Sequence, residues 1–254
     1  MARAHRKPQQ AAGDIVERPP WLIPLLITCG VIAFAALFLW YYVGPSAEEL
    51  LGRAPEATAS AELVQVRIGD VAMAVPASYT RYASTRQGGA FERLDLHALL
   101  PELDPFTPST RVEFDRSDPL SPVLHMRIEQ TTSVLAAQRR LELIYLPAAT
   151  DPEGEPGPYG LRHYVFGDDT GLRGQDMYVG DGPAGAPAIL VCTRTAPLVW
   201  CRRDILLSET VVLRYRYKRA HLEQWKQIDN QALALIASFR AQAAAKGLRP
   251  QPGG

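Results

Sequence analysis

The sequence predicts an α+β fold, in which an N-terminal transmembrane helix precedes an antiparallel-sheet domain with a closing C-terminal helix. Three observations predict it. The run Trp21–Val43 carries no charged side chain. After about Leu63, short runs alternate apolar and polar residues at the strand period. Near the end, "HLEQWKQIDNQALALIASFR" repeats apolar residues at three- and four-residue steps. Strands, one helix, more strands and a closing helix give an antiparallel sheet with helices on one or both faces.

The first element is the uncharged run. As a helix, "WLIPLLITCGVIAFAALFLWYYV" would span roughly 35 Å at about 1.5 Å per residue, enough for a hydrocarbon core of about 30 Å. Pro24 falls in the first turn, where its missing N–H costs nothing. Trp21 and Trp40-Tyr41-Tyr42 stand where interfacial aromatic belts form. A cleaved signal peptide has a shorter apolar region and a small-x-small site, and "YYVGPSAEE" offers no good one. Arg3, Arg6, Lys7 and Arg18 precede the run, whereas only Arg53 follows it before Glu62. The positive-inside rule then places a cytoplasmic tail at 1–20, the helix at 21–43 and the remainder outside. In a bacterium with two membranes this is a single-pass inner-membrane protein with a periplasmic domain. The balance of 27 basic and 27 acidic residues provides no global field for nucleic acid.

The segment 44–62, rich in Ala, Glu and Pro, reads as a tether, and the folded domain is expected over 63–240. "LVQVRIGDVAMAV" predicts a hairpin turning at Gly69-Asp70. "FERLDLHAL" is a strand of uncertain register. "VLHMRIEQT" alternates His125, Arg127 and Glu129 with Leu124, Met126 and Ile128. "TSVLAAQRRLELIYL" predicts a helix, and "RHYVFG", "QDMYVG", "AILVCTRT" and "VWCRRDILL" predict short strands. "TVVLRYRYK" puts Val211, Leu213, Tyr215 and Tyr217 on one face and Val212, Arg214, Arg216 and Lys218 on the other. In the last helix Leu222, Trp225, Ile228, Ala232, Leu235, Ile236 and Phe239 form the stripe that covers the sheet. The tail 241–254 has little to bury and is expected to fray.

Cys192 and Cys201 fall on two strands joined by "TRTAPLVW". A metal site, a redox pair and a structural staple compete for them. Zinc lacks its other ligands, and a redox pair wants C-x-x-C. Outside the cytoplasm disulfides persist, so a structural disulfide is the favoured reading. Cys29 remains within the apolar run.

Few motifs carry chemistry. "GDGPAG" (Gly180–Gly185) matches G-x-G-x-x-G, but Pro183 and Pro187 lead into a strand rather than a helix, so it reads as a loop. Asp168, Asp169 and Asp176 lack EF-hand spacing and read as a turn. No catalytic residue, cofactor or metal ligand is assigned. The basic strip Arg202, Arg203, Arg214, Arg216, Lys218 and Arg219 has two readings. One is a solvated face paired with neighbouring acids. The other is a binding face, centred on Arg214, Arg216 and Lys218, for an envelope protein or anionic lipid.

"VRIGDVAMAVPASYTRYASTRQGGAFERLDLHALLPELDPF" and "CRRDILLSETVVLRYRYKRAHLEQWKQID" together resemble an uncharacterised family of bacterial membrane-anchored proteins. The resemblance implies one N-terminal anchor and a periplasmic domain, and no activity. Where that family tends to have Trp-Pro, this chain has Leu100-Pro101. "VAMAVPASY" and the helix ending in "ASFR" are similar to the PsbP/Mog1-like fold. The expected function is non-enzymatic binding or scaffolding in the cell envelope. The alternative is a small periplasmic enzyme or ligand-binding domain whose site forms only in the fold.

Overall fold

The computed structural model describes residues 21–43, 54–132, 135–195 and 199–247. The expected cytoplasmic tail, part of the tether and the last residues lie outside them. The chain divides into two units, Met1–Leu50 and Leu51–Gly254.

In the first unit, α1 (Leu22–Val43) is a helix of 22 residues without a charge. Its apolar residues are not confined to one stripe, and Ile23, Leu26, Ile27, Val31, Ile32, Phe34 and Leu37 are all exposed. Side chains of this helix are described for 23–38 only. Counted over the described residues, no helix is long and apolar enough to cross a membrane. The run expected to span a membrane over 21–43 is helical from Leu22 to Val43, but a membrane-spanning helix is not found among the described residues.

The second unit is α+β. Its strands are β1 (Leu63–Ile68), β2 (Val71–Pro76), β3 (Gly89–Ala90), β4 (Arg93–Leu99), β5 (Val123–Gln130) and β6 (Glu155–Pro156). They continue with β7 (Arg162–Val165), β8 (Gln175–Asp181), β9 (Pro187–Thr193), β10 (Trp200–Leu206) and β11 (Val211–Lys218). The helices are α2 (Arg111–Phe114), α3 (Ala137–Arg140), a π-turn (Leu141–Tyr145), α4 (Leu146–Ala148) and the closing α5 (Trp225–Ala245). A small sheet has the order β2-β1-β3, and a large antiparallel one has β4-β5-β11-β10-β9-β8-β7-β6. The β1–β2 hairpin turns at Gly69, whose φ of 52° favours glycine. The parallel pairing of β1 with β3 has no counterpart in the sequence reading.

Strand alternation sorts the side chains as period two requires. Leu94, Leu96, Leu124, Met126, Ile128, Leu213, Tyr215 and Tyr217 point into one core shared with β1, β2 and α5. From α5, Trp225, Ile228, Ala232, Ile236 and Phe239 enter that core, which is most of the predicted stripe; Leu235 packs on it half-buried. The helix continues past the expected end at Arg240 because Ala243 is buried against Ala72 and Ala74. Gly180 is needed where it stands: a Cβ there would lie 2.8 Å from the Trp225 ring.

On the opposite face of the large sheet, α3, the π-turn and α4 pack on β7, β8 and β9, and Arg140 of α3 reaches β10, donating from Nη2 to Asp204 O at 3.0 Å. Leu141 and Tyr145 pack there on Tyr164, Phe166, Met177, Ile189 and Val191. The predicted helix over 132–146 is thus a shorter, interrupted one beginning at Ala137. The segment before β1 runs along the domain rather than away from it, since Glu56 N–H donates to Arg81 O at 2.9 Å.

Between β9 and β10 two register pairs hold among the described residues, Cys201 with Cys192 and Arg202 with Val191. Cys192 and Cys201 are joined by a disulfide at that point. It pins together the two four-strand halves of the sheet where few backbone pairings do so.

Candidate binding face

The uncovered face of β4, β5, β11 and β10 is polar, and the register lays its side chains out as rows across the strands. One row is Asp95, Arg127, Arg214 and Asp204; the next is His97, His125, Arg216 and Arg202. Beyond it lie Leu99, Val123, Lys218 and Trp200. The connection after β4 folds over that last row. Phe114 packs on His97 with ring centroids 4.7 Å apart, and Ser117 O accepts from Lys218 Nζ at 3.2 Å.

The three predicted cations therefore part company. Arg214 is neutralised: it reaches Glu129 at 2.7 Å and Asp204 at 3.1 Å. Lys218 does not face solvent as predicted. It is 1 % exposed, with Nζ 4.1 Å from the centre of the Trp200 ring. The reason is the folded-over connection, which alternation within β11 cannot reveal. Arg216 remains exposed, and its guanidinium lies 5.1 Å from the same ring. Among the described residues no carboxylate pairs with it.

Around Arg216 other cations gather. Arg127 is tied to Asp95 at 2.8 Å, and Arg202 holds Asp204 loosely at 3.6 Å. Arg81, anchored by its N–H to Asp95 O at 3.1 Å, has no carboxylate partner among the described residues. Burial, together with the Arg81 and Arg127 charges, pushes the Arg216 pKa down. His97 and His125 sit opposite each other beneath this cluster. Burial and the cations Arg81 and Arg86 hold the His97 pKa down to about 4. Burial, Arg81 and Arg216 hold that of His125 down to about 3. Both rings are neutral near pH 7, and His97 Nε2 and His125 Nδ1 are buried without a hydrogen-bond partner. Arg81, Arg127, Arg202, Arg214, Arg216 and His125 line a cleft of about 200 Å3 whose one carboxylate is Asp95.

Two other places bring polar groups together. A wider cleft of about 640 Å3 beside β7 and β8 includes Gly180 and Gly185 of the "GDGPAG" stretch, which is a hairpin loop without a following helix. Its charged lining is Arg162 and Asp181, with no nucleophile and base brought together. Asp176, expected in a turn, lies in β8 and is buried. His163, Arg194 and Arg219 each approach it at 3.5 Å. Asp168 and Asp169 do lie in the β7–β8 turn. Among the described residues, no three His, Cys, Asp or Glu side chains are placed to hold a metal.

Sequence reasoning placed Arg202 in the basic strip but missed Arg81, Asp95 and the histidine pair as parts of this face, and it put Arg203 in the strip, whereas Arg203 is buried on the other face of β10. The alternation of β4 and β5 carried a signal for the middle of it. Arg81 lies outside any strand and carried none.

These features define a class, an α+β domain with one sheet face sealed by a helix and half of the other left open and cationic. No family model and no curated protein matches the chain. Among solved structures, it is similar to Smlt3025, an immunity protein of the Stenotrophomonas maltophilia type IV secretion system. The match has a TM-score of 0.52 at 17% identity, covering 71% of this chain and 94% of that one. At that identity the likeness concerns the fold.

Proposed function

We propose that this is a membrane-anchored envelope protein that binds a protein partner through the open face of β4, β5, β11 and β10, without catalysing a reaction. The observation that carries the reading is the face itself: four strands uncovered in the middle, with cations in excess of carboxylates. The fold likeness is in keeping with it, because the similar structure is an immunity protein of a type IV secretion system. The uncharged α1, with exposed apolar side chains in every described turn, suits a bilayer rather than water. The basic residues before it orient the domain outward, to the periplasm.

Two measurements test this. Alkaline phosphatase fused at the C-terminal end should be active, since that enzyme matures only outside the cytoplasm; a stable but inactive fusion would refute the orientation. A photo-crosslinker at position 216 or 202 should yield a discrete protein adduct in the native cells, and one at exposed Glu223 should not. Equal yields from all three positions would remove the face from the proposal.

A further inference from the structure

The geometry points to a specific ligand for the cleft: we infer that Arg81, Arg202 and Arg216 receive the carboxylates of an acidic peptide segment. This rests on the reading of the open face as a protein-binding surface and names the chemistry of the partner. Five arginines line the cleft; Arg127 is tied to Asp95, Arg214 to Glu129 and Asp204, and Arg202 approaches Asp204 at 3.6 Å, which leaves Arg81 and Arg216 without a carboxylate among the described residues. Arg216 and Arg202 are register partners on adjacent strands. Arg81 stands at the far side, bonded to the backbone of β4. A row from β10 across β11 and β5 to β4 spans roughly 15 Å at about 4.8 Å per strand. One phosphate group is far shorter than that row, whereas carboxylates spaced along an extended peptide match it. Guanidinium forks bind carboxylates bidentately. His125 lines the cleft beside the arginines as a neutral ring, its pKa held down to about 3 by burial and by Arg81 and Arg216. Trp200 fixes the Arg216 guanidinium from below, so less side-chain freedom is lost on binding.

The test uses the full chain in phosphatidylcholine nanodiscs, with a fluorescent hexaglutamate peptide followed by anisotropy at low salt. Arg216→Gln and Arg81→Gln should each weaken binding about tenfold or more, as expected for a lost charge-assisted bond. Lys226→Gln, on the helix covering the other face, should leave it unchanged. Thermal melts of the variants should match the parent, which shows that any loss is local. Absence of peptide binding, or an equal loss with Lys226→Gln, would overturn the inference. So would displacement of the peptide by inorganic phosphate at matched ionic strength, or by phosphatidylglycerol vesicles, at equal molar charge. If crosslinks from position 216 persist while hexaglutamate fails to bind, the carboxylate inference falls alone. If both are lost, the protein-binding reading falls with it.

Discussion

Arg203 of β10 and Asp229 of α5 form a buried, two-pronged ion pair, with Nε to Oδ1 at 2.6 Å and Nη2 to Oδ2 at 3.1 Å. Tyr215 O–H donates to the same Oδ1 at 2.7 Å, so three segments meet at one carboxylate inside the core. Arg203 is 5 % exposed and Asp229 1 %. It is the opposite of its neighbour Arg202, which points to the open face, and period-two alternation is the cause.

Asp229→Ala should destabilise the domain by about 3–5 kcal/mol, because it leaves a guanidinium and a hydroxyl buried without their acceptor. Urea unfolding measures it. Replacing both partners, Arg203→Met with Asp229→Leu, should recover much of the loss. A single variant as stable as the parent would show that the pair does not hold the helix to the sheet.

The histidines make stability depend on pH. Unfolded, each titrates near about 6.5; folded, His97 titrates at about 4 and His125 at about 3. The unfolded chain therefore binds more protons between those values, and stability falls as pH drops. The contribution is whole above about pH 6.5 and is lost on the way down through about 4 and 3, a change on the order of a few kcal/mol. His125→Gln should flatten the decline between pH 6.5 and 4. Parallel curves for parent and variant would contradict the assignment.

Lys218 and Arg216, two positions apart on one face of β11, should respond differently to loss of charge. Lys218→Ala should cost about 1–3 kcal/mol, since it empties a packed site on Trp200 and leaves Ser117 O without its donor. Arg216→Gln, at an exposed site, should change stability by no more than about 0.5 kcal/mol. Chemical denaturation of both variants compares them, and equal effects would contradict the difference in burial.

The Cys192–Cys201 disulfide closes a short loop and should contribute about 2–3 kcal/mol by constraining the unfolded chain. The double change Cys192→Ser, Cys201→Ser should show that loss. Because two register pairs join β9 to β10 among the described residues, hydrogen exchange should also rise along Pro187–Thr193 and Trp200–Leu206. Loss of stability without faster exchange there would place the effect in the unfolded state alone.

The sequence by itself determined what depends on local pattern. Alternation in "VVLRYRYK" names the buried face of β11, the apolar stripe names the helix that covers it, and two cysteines on neighbouring strands name the disulfide. Each rests on a repeat or a spacing that a few residues carry. The site was only half legible, because its charges are decided by neighbours distant in the chain. Arg214, Arg216 and Lys218 look alike in the strand. They differ because β5 brings Glu129 and β10 brings Asp204 to the first, while the connection after β4 buries the third. The tertiary structure alone decided which cation stays free, since ion pairing and burial depend on what the fold places beside a side chain.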